Sequence, residues 1–120
     1  EKNFLYLFKA LSKNENFFII SNKNKKILSS NYCMSIILKK NNYNRTSIIK
    51  NLNKNGIGTS IYYPKPVPLM SYYKKKYNYK NSEFINALKI SERSISFPVG
   101  PHLKKSDLNL MIKKINKIIK

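Results

Sequence analysis

The sequence predicts an α/β fold of the two-layer α+β kind: a small sheet of about three strands covered by helices. Three observations carry this. Apolar residues recur at helical spacing near both ends, as Phe4, Leu7, Phe8 and Leu11 and as Leu108, Met111, Ile112, Ile115, Ile118 and Ile119. Apolar and polar or small residues alternate through Tyr32–Leu38 and again through Ile57–Tyr63. Capping and turn residues separate these stretches, so the order reads helix, strand, helix, strand, helix, strand, helix.

Taken in order, residues 3 to 13 read as a helix with one buried face and no visible N-cap. Asn14 to Ser30 is polar and lysine-rich, interrupted by Phe17, Phe18, Ile19 and Ile20, and reads as a long connection with one short extended segment. The strand at Tyr32–Leu38 contains Cys33, whose expected state is a buried, inert thiol. Lys39 to Tyr43 reads as a turn. Asn44 suits the N-cap of a second helix that buries Ile48, Ile49 and Leu52 and ends at Gly56, a residue at ease in the left-handed conformation that closes helices.

Ile57, Thr59, Ile61 and Tyr63 then form one face of a second strand, ended by Pro64, which has no N–H for a ladder. Pro64, Pro66 and Pro68 hold the next loop extended. A rigid, aromatic, basic loop at a strand's end is expected to border a ligand cleft. Ser71 to Lys80 is crowded with tyrosine and lysine and reads as a solvated, partly helical segment whose tyrosines pack on their own domain. Ser82 is placed to cap a helix carrying Phe84, Ala87 and Leu88 inward. Ser94–Phe97 reads as a short strand ended by Pro98, and Gly100 with Pro101 as a turn. Ser106 and Asp107 open the last helix, with the acid suitably placed at its N-terminus.

The 120 residues suit one domain with one core, and a 42% hydrophobic content is enough to fill it. A single cysteine excludes an internal disulfide. No stretch is long and apolar enough to span a membrane. The chain opens Glu1-Lys2-Asn3, inside an amphipathic pattern and without methionine. It is therefore read as a piece of a longer, cytoplasmic protein.

The net charge of +19 invites a nucleic-acid reading. The lysines, however, are spread along the whole chain among asparagine, isoleucine and tyrosine, all residues with A/T-rich codons. Arginine, the preferred reader of phosphates and bases, stands only at Arg45 and Arg93. A small basic nucleic-acid-binding module is kept as the alternative and not as the preferred partner assignment.

Catalytic constellations are missing. His102, the one histidine, follows Pro101 and reads as a turn residue. The five acids, Glu1, Glu15, Glu83, Glu92 and Asp107, form no pair, and no cluster of metal ligands is visible. Gly56 and Gly58 lack the rest of a dinucleotide or phosphate-loop fingerprint. By its chemistry the chain assists a reaction and does not perform one.

An ordered set of motifs resembles a known family. Residues 55–69, NGIGTSIYYPKPVPL, resemble the "GI-x-T-x-x-HYP-x-P" stretch in the C-terminal domain of DegT/DnrJ-type (StrS-like) sugar aminotransferases. The strand NYCMSIIL and the helix opened by Arg45 resemble that domain's first strand and its "R-x-x-L-x-x-x-L" helix. Residues 83–115 resemble its closing pattern of "FP-x-A", "S-x-S-L-P", a "P-x-L" turn and a final helix. The first residues resemble the end of the helix that links the two domains.

The resemblance implies a C-terminal small domain of a fold type I aminotransferase, with residues 1–13 ending the interdomain helix, residues 14–120 forming the domain, and the large cofactor-binding domain absent. It implies a pyridoxal-phosphate enzyme, homodimeric when intact, that moves an amino group from an amino-acid donor to a nucleotide-linked keto sugar. A related sugar dehydratase is the alternative with the same cofactor. No lysine here matches the cofactor-lysine motif, so the fragment alone is expected to be inactive, with no catalytic, cofactor or metal ligand of its own. The resemblance places Tyr62, Tyr63 and Lys65 near the substrate. Tyr62 stands where the family often has histidine, Phe97 where leucine is commoner, and Ile85 where "FP" has proline.

Overall fold

The computed structural model describes residues 1–22, 24, 26–39 and 43–120. In chain order the elements are α1 (Lys2–Leu11), β1 (Phe17–Ile19), β2 (Met34–Leu38), α2 (Arg45–Lys54), α3 (Ser71–Tyr77), α4 (Ile85–Arg93), β3 (Ser94–Phe97) and α5 (Lys105–Ile118). The three strands form one antiparallel sheet in the order β1-β2-β3. The turn expected over Lys39 to Tyr43 falls on residues 40–42, outside the described residues.

Register explains which side of the sheet holds the core. Met34 pairs with Phe97 and Ile36 with Ile95, and all four are buried. They meet Phe4, Leu7 and Leu11 of α1, Ile48 and Leu52 of α2, and Leu108, Met111, Ile115 and Ile119 at α5 in one continuous core. Each such side chain contributes about 1.5–3 kcal/mol on burial. The opposite face is polar at its centre. Ser35 pairs with Ser96, their hydroxyls 2.7 Å apart, and Ser94 stands opposite Ile37. All four residues of β3 are buried, so both of its faces are covered.

Helix ends follow the sequence closely. Asn44 accepts from the Ser47 N–H at 3.0 Å and caps α2. At the other end Gly56 has φ +78°, the Gly56 N–H donates to Asn53 O at 2.9 Å and the Ile57 N–H to Leu52 O at 3.0 Å. This is the Schellman pattern, and its accompanying apolar contact is supplied by buried Ile57 and Leu52. Arg45 anchors the start of α2 by donating to the carbonyls of Ser91 and Ser94. Burial of the guanidinium lowers its pKa, against the opposing attraction of Glu92. The Lys104 N–H donates to Asp107 at 2.8 Å, which closes the first turn of α5.

Several expectations need correction. Ile57–Tyr63 is not a strand. Ile57 is already committed to the helix cap, the Thr59 hydroxyl donates to Asn53 Oδ1 of α2 at 3.1 Å, and only Ser60 pairs with the sheet, exchanging bonds of 2.8 and 3.0 Å with Ser96. The third strand is instead β1, within the stretch read as a connection. It pairs Phe17 with Leu38 and Ile19 with Ile36. Of the three expected strands, therefore, two share the sheet and the middle one contributes a single bridge.

Strand β2 starts at Met34, which leaves Tyr32 outside it and 75% exposed, and Cys33 half-buried with its Sγ 3.5 Å from Ser35 Oγ. Ser82 does not cap α4: it lies inside a 3-10 turn, Asn81–Phe84, where the Lys80 N–H donates to Glu83. Ala87 is exposed, and Phe84 and Leu88 are half-buried.

Candidate functional site: a neutral cleft beside the sheet

The Ser60–Ser96 bridge draws the 58–62 segment alongside the end of β3. Between them lies a cleft of about 430 Å³. It is lined by Tyr32 and Cys33 ahead of β2, by Gly58 to Ser60 and Tyr62, and by Ser96 to Gly100 with His102. That volume falls in the range of small-molecule sites, about 300–1,000 Å³. The lining is mainly apolar and backbone, with a few polar tips.

Two tyrosine rings border the cleft. Tyr32 and Tyr62 have centroids 6.2 Å apart at an interplanar angle of 56°. A side-chain hydrogen bond with Tyr62 raises the Tyr32 pKa above its ordinary value, and the charge that Tyr62 would carry adds in the same direction. The Tyr32 phenol is therefore held neutral.

His102 is placed by a close approach. Its ring lies directly on Gly100, so a Cβ at that position would sit 2.6 Å from the His102 Cε1 and 2.7 Å from Nδ1. The turn beneath is braced from α1, where the Asn3 amide donates to Gly100 O at 2.9 Å and to Leu103 O at 3.4 Å. Sequence reasoning took His102 for a turn residue. It sits in that turn and also lines the cleft, and the one available signal was the glycine two positions before it.

The sequence-derived site residues separate. Tyr62 lines the cleft and is 45% exposed. Tyr63 packs edge-on to Tyr62 at 6.4 Å but is 66% exposed and does not line the cleft. Lys65 is exposed and also lies off the cleft lining. The proline run 64–68 does not line it either, and Pro66 is buried. The Ser71–Lys80 tyrosines also differ from expectation. No residue of α3 is buried, and Tyr72, Tyr73, Tyr77, Tyr79 and Phe84 pack on one another in sequence at 5.2 to 6.4 Å.

Pyridoxal phosphate, the cofactor that the resemblance implies, needs a sequestered lysine, an acid facing its ring nitrogen and a phosphate cradle. Among the described lysines none is buried; Lys114 is half-buried and donates to Asn55 Oδ1 at 2.6 Å, and the rest are exposed. Among the described residues neither a lysine nor a carboxylate lines the cleft. The described residues do not fit this cofactor by themselves. Among them, no three histidine, cysteine or acidic side chains gather to hold a metal, and no helix is long and apolar enough to cross a membrane.

Comparison with known proteins places this geometry. The chain is 37% identical over 76 residues to the uncharacterized protein MJ1066 of Methanocaldococcus jannaschii, covering 63% of this chain and 19% of that protein. It is 31% identical over 90 residues to the spore coat polysaccharide biosynthesis protein SpsC of Bacillus subtilis, covering 74% and 23% respectively. The chain thus spans about a fifth of the length of these curated relatives. Its fold superimposes on part of Helicobacter pylori PseC, described as an aminotransferase involved in the biosynthesis of pseudoaminic acid. The TM-score is 0.83 at 21% identity, over 98% of this chain and 31% of that one. The family model of the DegT/DnrJ/EryC1/StrS aminotransferases matches residues 1–116, and the chain belongs to that family.

Proposed function

We propose that this chain is the C-terminal small domain of a pyridoxal-phosphate-dependent aminotransferase that acts on a nucleotide-linked keto sugar. Residues 1–13 end the interdomain helix and residues 14–120 form the domain. The observation that carries the reading is the family match over residues 1–116, supported by a fold shared with PseC. SpsC, named for polysaccharide biosynthesis, supports a sugar as the acceptor. The intact enzyme is cytoplasmic and homodimeric, takes its amino group from an amino-acid donor, and holds the cofactor in its larger domain. That assignment of the cofactor agrees with the poor fit of the residues described above. The 120-residue chain does not transaminate alone.

Within this reading the chain's residues bind and orient. Tyr62 offers a ring face and a hydroxyl at the cleft, and exposed Tyr63 and Lys65 extend the same surface, Lys65 with a cation for a carboxylate or diphosphate. Pyridoxal phosphate, when bound in the large domain, supplies the means of passing the amino group between donor and sugar.

The test has two arms. The chain alone, mixed with pyridoxal phosphate, is expected to show no site-specific Schiff-base absorbance and no amino transfer. The chain joined to the remainder of its enzyme is expected to transfer nitrogen from glutamate to a nucleotide-linked keto sugar. Turnover by the chain alone, or an assembled protein that binds no cofactor, would end the reading.

A second reading, single-stranded nucleic-acid binding, is favoured by one observation: the exposed tyrosine ladder of α3 with Lys76 Nζ 5.5 and 5.4 Å from the Tyr72 and Tyr77 rings. Lack of affinity for random RNA at low salt, where phosphate contacts are strongest, rules it out.

A further inference from the structure

A second cleft, of about 360 Å³, opens between α2 and α5. It is lined by Asn51 and Asn55 from the end of α2, and by Lys114, Lys117 and Ile118 from the end of α5. It shares no residue with the cleft beside the sheet. Spacing brings these groups together. Lys114 and Lys117 stand three apart on α5, and Asn51 and the cap residue Asn55 stand four apart on α2, so each pair lies on one helix face. The Asn55 amide nitrogen donates to Asn51 O at 2.8 Å and to Asn51 Oδ1 at 3.0 Å, while Asn55 Oδ1 accepts from the half-buried Lys114 at 2.6 Å. Among the described residues, Asn51 Nδ2 and the Lys117 ammonium are left without a partner, and Lys114 uses one of its three donors. No acid answers these charges. All five acids are among the described residues, none lines this cleft, and neither lysine forms an ion pair among them. Helix C-termini do attract cations, and the ends of α2 and α5 both lie here. Each carries about half a negative charge, so a single lysine would balance the two. Two lysines are present, and the Asn51 amide adds a donor that balancing the helix ends does not require.

We infer that this second cleft binds a dianionic phosphate, free or as a monoester, with Lys114 and Lys117 as its cations and the Asn51 amide as a third donor. The groups left unpaired are all donors, which suits oxygens that only accept. Two ammonium groups match the charge of about −1.5 to −2 that a phosphate monoester carries near neutral pH. A diester, with a single charge, leaves one lysine unanswered. The cleft has room beyond the phosphate for the group that carries it, with Ile118 as an apolar wall. This assignment is independent of the sugar-acting reading above, since it uses none of the residues on which that reading depends.

The experiment titrates the chain with inorganic phosphate, methyl phosphate and dimethyl phosphate, and separately with random RNA. Ionic strength is held constant, so that general attraction to a chain of net charge +19 is screened equally throughout. The readout is the side-chain amide resonances of Asn51 and Asn55 in NMR. Inorganic phosphate and methyl phosphate are expected to shift them saturably, and dimethyl phosphate to bind about tenfold more weakly, the worth of one charge-assisted contact. Lys114→Met, which keeps the stem and removes the charge, weakens phosphate binding about tenfold. Lys117→Met, at an exposed position, weakens it about threefold. Because Lys117 is exposed, that variant decides the question even where Lys114→Met fails to fold. Lys75→Met, on α3, is the control and leaves phosphate affinity unchanged. Four results overturn the inference: no saturable shift from phosphate, equal affinity for the diester, a control that loses as much as the two cleft variants, or displacement of these signals by RNA while methyl phosphate leaves them in place. The last would assign the two lysines to a nucleic-acid backbone instead.

Discussion

Helices α5 and α3 are built from similar material and end in opposite places. Both carry several lysines and large side chains. In α5 the large residues fall at Leu108, Met111, Ile112, Ile115 and Ile118, on one stripe, and Leu108, Met111 and Ile115 are buried. In α3, over seven residues SYYKKKY, the tyrosines flank a run of three lysines and nothing is buried. Tyr73 and Tyr77 do meet one turn apart, with rings 6.4 Å from each other and 9° from parallel, but on the outside of the molecule. The difference teaches that basic composition says little about a helix's place. Spacing of apolar side chains decides it, because only a continuous stripe can be removed from water at one stroke.

The contrast can be broken most easily at its strongest point. Ile115→Ala, at a fully buried position, is expected to cost about 2–5 kcal/mol in a urea or thermal melt. A cost below about 1 kcal/mol would mean that α5 is not a core element. Next in size is Gly56→Ala, which forces a Cβ into the left-handed conformation at φ +78°. It should cost about 1–2 kcal/mol, measured the same way, with Asn44→Ala as a comparable cap deletion of about 1 kcal/mol.

Tyr77→Ala in α3 is expected to change stability by no more than about 0.5 kcal/mol. A loss as large as that of Ile115→Ala would erase the distinction between the two helices. The smallest effect is one of pH. The folded state holds the Tyr32 proton beyond the unfolded value of 10.0. The stabilisation is therefore complete below that value and fades as pH rises through the raised folded pKa. Ultraviolet titration of tyrosine should lose its latest-ionising component in Tyr32→Phe, and any stability difference between the two proteins should be constant between pH 6 and 8 and shrink as pH rises past 10.0. An unchanged alkaline titration would show that Tyr32 and Tyr62 do not interact.

Much of the fold was legible in the residues. Helix α2 could be read from end to end, because Asn44, Ile48, Leu52 and Gly56 are local signals that act within a few residues of themselves. Strand β2 was legible for a similar reason, since Met34, Ile36 and Leu38 alternate over a full strand's length. The exchange of Ile57–Tyr63 for Phe17–Ile19 as the third strand was not legible. A strand is completed by its neighbour. Ile57 and Thr59 are held back by α2, whereas Phe17–Ile19 finds the free edge of β2. For the candidate site, Tyr62 could be picked out by motif, but the company it keeps could not. Tyr32, Ser96 and His102 are distant in sequence and meet only through the Ser60–Ser96 bridge and the turn braced by Asn3.

The residues alone determined the two-layer plan, the ends of α2 and the family, since periodicity, caps and ordered motifs are properties of neighbouring positions. The tertiary structure alone decided which third strand joins the sheet and which side chains share the cleft. It also revealed that, among the described residues, no lysine, arginine or acid lines this cleft. Those outcomes depend on hydrogen bonds and contacts between segments as much as 100 residues apart, such as Asn3 with Leu103, and no local pattern encodes them.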